Sequence, residues 1–285
     1  MALRAGDSPL LRNRTAALLV TISLLASARL PATDKPITVA LVFDGLSPKE
    51  REPLQAYLTR AMGRPVRLAV PDLYSETVAH LADGSYDFAC LGGLPYIRAH
   101  AKYGVIPLVR RSTDLNFHSV VITGTHSSIY SLLDLKGKRF AFGDVNATSS
   151  LMFYRELLEV GINPETDFKF QYSGSHVATA ALVESGVVDA GVLDETIFAA
   201  LVRAGKLNSK KIRVFHTSMP FVSYVYVSRA DVPQADRERF TRALIDLKEG
   251  KNDAVLKILR ARQFVLAKDQ EYETIRQAAN KLKRF

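Results

Sequence analysis

Short apolar runs that suit burial on both faces alternate along this chain with helical segments, and the alternation starts twice. Ile37–Phe43, Val66–Val70, Tyr86–Leu91 and Val105–Val109 have strand length and are largely apolar, the pattern of strands covered on both sides. Between them, Pro48 opens a helix carrying Leu54, Tyr57, Leu58 and Ala61 that stops at Gly63, Ser75–Leu81 forms a second, and "GLPYIRAHAKYG" a third. After Ser119–Thr123 the order restarts with strand Arg139–Phe142, helix Ser149–Val160, strand Lys169–Tyr172, a helix reaching Ser185, strand Ala190–Val192, helix Glu195–Ala204 and strand Ile212–Thr217. From Pro233 onward the pattern is mostly helical. Such alternation predicts mainly parallel sheets flanked by helices. "AHLADGSYDFACLGG" and "ALVESGVVDAGVLDE" match Ala79 with Ala181, Gly84 with Gly186 and Asp87 with Asp189, so two α/β lobes of similar design are expected. Open sheets of this kind bind ligands beyond the carboxyl ends of their strands, which places a site in the cleft between lobes.

The 285 residues suffice for two such lobes, and 47% hydrophobic with 24% charged residues is an ordinary soluble balance. Arg12 and Arg14 precede "TAALLVTISLLASA", an apolar stretch short for a bilayer span that ends in small residues. This reads as a secretory signal peptide over residues 1–28, cut after Ala28, with an uncleaved anchor as the alternative. Cleavage removes Arg4, Arg12, Arg14 and Asp7 and takes the formal charge from +9 to +7. Export leaves nucleic acid an improbable partner, and "NSKKIR" and "NKLKRF" lack interleaved aromatics and read as solvated faces. Cys90, the single cysteine, excludes a disulfide framework and a cysteine metal site and reads as a buried, inert thiol. The six histidines show no HxxxH or HxH spacing and there is no G-x-S-x-G elbow, so nothing designates catalytic residues, a metal or a cofactor. The enzyme alternative is a two-lobed lyase or deaminase, against which the export signal speaks.

"FGDVNATSSL" (Phe142–Leu151) carries a strand into a turn and then into three consecutive hydroxyls, Thr148, Ser149 and Ser150, at the mouth of a helix. Thr148 or Ser149 could serve as a plain N-cap worth about 1 kcal/mol. A cap needs one hydroxyl, not three. A helix start with several N–H and O–H donors can instead hold a tetrahedral oxyanion. At roughly 1.5–3 kcal/mol for each hydrogen bond to a charged group, four or five suffice without a lysine. The absent lysine also excludes a nucleotide P-loop.

"DLKGKRFAFGDVNATSS", "GINPETDFKFQYSGSH" and "VDAGVLDETIF" resemble the substrate-binding proteins of phosphonate, phosphite and phosphate ABC importers, which are type II periplasmic binding proteins. The likeness runs from about Ile37 to the last helices. It implies a two-lobed α/β fold, each lobe a mainly parallel sheet flanked by helices, with the ligand cleft between lobes. Residues 35–118 plus 220–285 would form lobe 1 and residues 119–219 lobe 2, joined near Phe117–Ser119 and Ser218–Phe221. The resemblance further implies that the oxyanion rests on Thr148, Ser149 and Ser150, with His176 as a further donor. Tyr74 would cover it from the first lobe, and His118 would supply contacts from the segment entering the second; Tyr96, past a strand end, joins them. Asp194 is either a ligand contact or the cap of the following helix, Asp144 either an acceptor from a protonated oxyanion or a brace for its own turn, and Tyr224 faces cleft or core.

The family loop, roughly Asp-Pro-x-Ser-Thr-Ser-Gly, is altered here at Val145, Ala147 and Ser150. Relatives that bind aminoethylphosphonate hold its ammonium with acids, one of them in the segment returning to the first lobe. Here that return, "TSMPFVSYVYVSR", has no acid, which argues against an aminoalkyl ligand. The implied partners are a small oxyanion and an inner-membrane ABC permease, or alternatively a sensor histidine kinase, for a monomeric periplasmic protein that closes about a hinge on its ligand.

Overall fold

The apolar run at Ile37 forms β1 (Ile37–Ala40), buried at every position, in a computed structural model that describes residues 35–41, 47–71 and 74–283. The leader and its cut after Ala28 lie outside the described residues, as do residues 42–46. Helix α1 (Pro48–Met62) starts with a Ser47–Glu50 capping box and stops at Gly63 in the left-handed conformation. Then follow β2 (Val66–Ala69), α2 (Tyr74–Ala82), β3 (Phe88–Leu91), α3 (Gly93–Tyr103) and β4 (Ile106–Arg111). The chain crosses to a second sheet through β5 (Ser119–Gly124), β6 (Arg139–Phe142), α4 (Thr148–Glu159), α5 (Pro164–Asp167), β7 (Lys169–Tyr172), α6 (His176–Glu184), β8 (Ala190–Asp194), α7 (Glu195–Arg203) and β9 (Ile212–Thr217). It returns as β10 (Val225–Ser228), α8 (Gln234–Ile245), α9 (Asp253–Ile258), β11 (Phe264–Leu266) and α10 (Glu273–Lys281).

The strand order is β11-β4-β10-β3-β1-β2 in the first sheet and β7-β6-β8-β5-β9 in the second. Both sheets are mixed rather than mainly parallel. Pairings β1–β2, β1–β3, β6–β7 and β6–β8 are parallel, while β10 and β5 run antiparallel to both of their neighbours. The cause is the crossing itself: β5 and β10 each enter their lobe from the other one, at the cleft end, and so run against the strands that finish there. Apolar clusters cover both faces of each sheet. Leu54 and Leu58 of α1 and Phe240 of α8 pack with Ile37 and Val39 on one side of the first sheet, and Leu94 and Ile97 of α3 with Ala89 and Leu91 on the other. Helix α4 serves both lobes: Phe153 and Leu157 join the aromatic core around Phe140 and Phe142, whereas Leu151 belongs to the cluster of Tyr272 and Ile275.

The two crossings lie side by side and are hydrogen-bonded. Phe117 and Phe221 exchange backbone N–H···O bonds at 3.0 and 2.9 Å, and the Ser218 amide donates to the Ser119 carbonyl at 2.9 Å. The Ser119 amide donates to Ser218 Oγ at 2.8 Å, and His118 Nδ1 meets the Ser218 carbonyl at 2.7 Å. Just before this hinge sits a buried ion pair: Arg111 Nη2 and Nε donate to Asp114 Oδ1 and Oδ2 at 2.6 and 2.9 Å, with side-chain exposures of 2% and 1%. Burial pushes the Asp114 carboxyl upward against the opposing pull of the guanidinium, which in turn is held charged by Asp114. The Arg111 guanidinium lies 5.1 Å from the Tyr224 ring centre. Close by, burial pushes the Cys90 thiol up to about 12, so it is inert at neutral pH.

Asp114→Ala leaves a buried guanidinium unpaired and is expected to cost about 3–5 kcal/mol. A loss of that size lowers the midpoint of thermal unfolding by roughly 10 °C; scanning calorimetry and urea unfolding measure it.

Candidate functional site

Four strands hand over to helices at the cleft: β3 to α3, β6 to α4, β7 to α6 and β8 to α7. The N-termini of those helices converge on one chamber, lined by Gly92, Ala147 to Ser149, His176 and Asp194 and closed from the hinge side by Phe117, Ser223 and Tyr224. The space between its atoms, open solvent at its mouth included, is about 250 Å³, which limits it to a small guest. Each helix N-terminus carries amides without intrahelical acceptors and a partial positive charge. Helices α6 and α7 answer part of this locally: Ser175 Oγ accepts from the Ala178 amide, and Asp194 Oδ1 accepts from the Thr196 and Ile197 amides at 2.7 and 3.0 Å. Helices α3 and α4 have Gly92 and Ala147 at their caps and no side-chain cap bond. The first-turn amides of α4 are left for another acceptor; in α3, Pro95 has no N–H and the Leu94 amide is already bonded across to α4, which leaves Gly93.

The hydroxyl row therefore does not cap its helix. The cap residue is Ala147, and Thr148, Ser149 and Ser150 all lie inside the first turn, each more than nine-tenths buried. Ser149 Oγ is buried on the chamber wall without a hydrogen-bond partner, a costly state unless something else fills the acceptor role. Thr148 Oγ1 accepts from the Leu94 amide of the first lobe at 2.9 Å, so its own proton points elsewhere and can serve the chamber. Ser150 Oγ is likewise unpartnered but lies on the other side of the turn, in a separate small cavity with Tyr154, Tyr172 and Leu282. The structure does not bring it to the chamber.

His176 lines the chamber and is held beneath the end of β6, where a side chain on Gly143 would stand 3.0 Å from Nδ1. Nδ1 accepts from the Asp194 amide at 3.4 Å, a contact that matches the tautomer with its proton on Nε2. Asp194 caps α7 and lines the chamber at once. Its Oδ2 accepts from the Tyr224 hydroxyl at 2.7 Å, a bond that spans the lobes and settles the orientation of Tyr224 toward the cleft. A second bridge runs from Arg98 Nη1 to Asn146 Oδ1 at 2.6 Å. Asp144 braces its turn, accepting from the Asn146 amide at 2.6 Å.

Two sequence candidates sit elsewhere for clear reasons. Tyr96 is fully buried inside the first lobe; its hydroxyl donates to Asp269 at 2.7 Å and its ring packs edge-on to Tyr272. His118 is spent on the hinge, bonded to Ser218. Tyr74 begins α2, and its side chain lies outside the described residues. Sequence reasoning missed Gly92, Asn146 and Ser223. The pair Gly92-Gly93 directly after a buried strand was the available signal for α3 as a second donor helix. Among the described residues that line the chamber none is a lysine or arginine, and no group of three His, Cys, Asp or Glu among the described residues could hold a metal.

Comparison with known proteins agrees with this architecture. The family model described as "ABC transporter, phosphonate, periplasmic substrate-binding protein" matches residues 47–272. The probable ABC transporter phosphite-binding protein PhnD1 of Prochlorococcus marinus is 28% identical over 228 residues, covering 74% of this chain and 77% of its own. A solved structure of PhnD1 with methylphosphonate superposes with a TM-score of 0.80 at 24% identity, covering 88% of this chain and all of the other. A binding-protein component of an ABC phosphonate transporter from Pseudomonas aeruginosa gives 0.77 at 19% identity, with 87% of each chain covered. The mixed two-sheet fold is that of these periplasmic proteins, and this chain belongs to the family of phosphonate ABC-transporter periplasmic substrate-binding proteins.

Proposed function

We propose that this chain captures a small phosphorus oxyanion, phosphite, phosphate or a short alkylphosphonate, in the chamber between its lobes and hands it to an inner-membrane permease. The observation that carries the reading is Ser149, buried on the chamber wall with its Oγ unpartnered, in the uncapped first turn of α4. Thr148, Ser149, the α4 amides and His176 Nε2 supply neutral donors to the anion. Asp194 supplies the opposite chemistry. A buried carboxylate next to an oxyanion favours a guest that retains a proton and disfavours a fully ionised dianion such as sulfate. Relatives support the ligand class: PhnD1 is a probable phosphite-binding protein, and its structure holds methylphosphonate.

Binding works by closure. Residues 35–118 with 220–285 act as one lobe and 119–219 as the other, bending at Phe117–Ser119 and Ser218–Phe221. An anion held by donors of both lobes stabilises the closed form. Export through a leader cut after Ala28 delivers a monomer to the periplasm, where the family operates. Among the described residues no helix is long and apolar enough to cross a membrane.

Ser149→Ala and His176→Ala are each expected to weaken oxyanion binding about tenfold or more, whereas Ser150→Ala changes it less than about twofold. Titration calorimetry on folded variants decides; unchanged affinity in both of the first two removes the site. In a thermal-shift panel, phosphite, phosphate or methylphosphonate raises the unfolding midpoint most, and aminoethylphosphonate and sulfate least. A largest shift with the amino compound overturns the assignment of ligand class.

A further inference from the structure

The C-terminal helix α10 is amphipathic, with Ile275, Ala278 and Ala279 buried along one face and Leu282 half-buried just past its end. Its first turn belongs firmly to the first lobe. Any side chain at Gly93 would collide with Ile275, so α10 lies directly on the start of α3. Arg276 Nη2 donates to Asp269 at 2.8 Å, and the same carboxylate receives the buried Tyr96 hydroxyl at 2.7 Å. Two turns on, about 10 Å along the axis, the surroundings change. Leu282 closes a small cavity whose other described lining residues, Val145, Ser150, Leu151, Tyr154 and Tyr172, all belong to the second lobe. Leu151 of α4 packs in the same apolar cluster as Tyr272, Ile275 and Ala278.

We propose that α10 is a clasp across the cleft and that Leu282 is a positioning residue: it sets how tightly the oxyanion is held by pressing the second lobe, at the first turn of α4, against the first. The inference rests on the oxyanion reading above and deepens it. Leu282 is not among the residues lining the chamber; it lines the cavity behind the turn that carries Ser149, with Ser150 and Leu151. Opening the cleft carries α4 away from α10 and exposes Leu151 and Leu282 to water, so their contact favours the closed state only. Observed affinity is the intrinsic affinity scaled by the closed fraction, which makes a contact outside the site a determinant of binding.

The test uses the full chain with phosphite, phosphate and methylphosphonate as probes. Leu282→Ala is expected to weaken whichever of these the unaltered protein binds by roughly tenfold, chiefly through faster dissociation in stopped-flow, with Leu282→Met restoring it to within about twofold. Leu282→Gln, which keeps length without the apolar contact, shifts in the same direction. Small-angle scattering shows ligand-free Leu282→Ala more open than the unaltered protein. A lowered unfolding midpoint with unchanged affinity and dissociation rate means simple packing and overturns the proposal. Should the unaltered protein bind none of the three anions, the oxyanion reading falls and scattering alone decides: a more open variant supports the clasp, and superimposable curves overturn it.

Discussion

The buried pair Arg111–Asp114 is the interaction on which the rest of this molecule leans. Two charges with almost no access to water persist only because the fork of one matches the carboxylate of the other at 2.6 and 2.9 Å. The pair fixes the short turn between β4 and the first crossing, and the Asp114 carbonyl accepts from the Ser223 amide on the second crossing at 2.9 Å. Above the guanidinium sits the Tyr224 ring, whose hydroxyl reaches Asp194 in the other lobe. A chain of direct contacts thus runs from an ion pair in the first lobe, through the hinge, to the cap of α7 on the chamber wall. The proposed hinge is therefore held between two fixed points rather than built as a loose linker.

The chamber uses this rigidity to do without ionic opposition. Of the four helix starts that meet at this small space, α4 keeps its first-turn amides without a cap, and its position is set by β6, which pairs in parallel with β7 and β8; none of this needs a mobile charged side chain. Such donors carry little rotamer entropy to be lost on binding. They also discriminate by geometry, because an amide or hydroxyl in a fixed place rewards a tetrahedral arrangement of oxygens and a flexible lysine does not. In the proposed anion site, Asp194 would sharpen the discrimination further by what its carboxylate repels.

Much of this was legible in the sequence, and the failures are instructive. Strands buried on both faces announced themselves through runs such as Phe88–Leu91, and Gly63 and Gly104 marked helix ends where they lie. The hydroxyl row pointed to a helix whose first turn, through Thr148 and Ser149, does line the chamber. What local pattern could not reveal was which way each hydroxyl turns: Ser149 and Ser150 are neighbours about 100° apart on a helix, so one faces the chamber and the other a cavity behind it. Tyr96 misled for a similar reason. Its position after a strand end was right, but its partner Asp269 lies 173 residues away, and no periodicity encodes such a meeting. The direction of β5 and β10 was also hidden, because antiparallel entry follows from the path of the crossing and leaves no mark in composition.

Ala147 stands where the loop of the resembled family carries a serine, and its methyl group cannot accept a hydrogen bond, so α4 begins without a side-chain cap. A hydroxyl or carboxylate there would add about 1 kcal/mol to the helix; in its absence the opening turn keeps its N–H groups for whatever acceptor comes to lie against it.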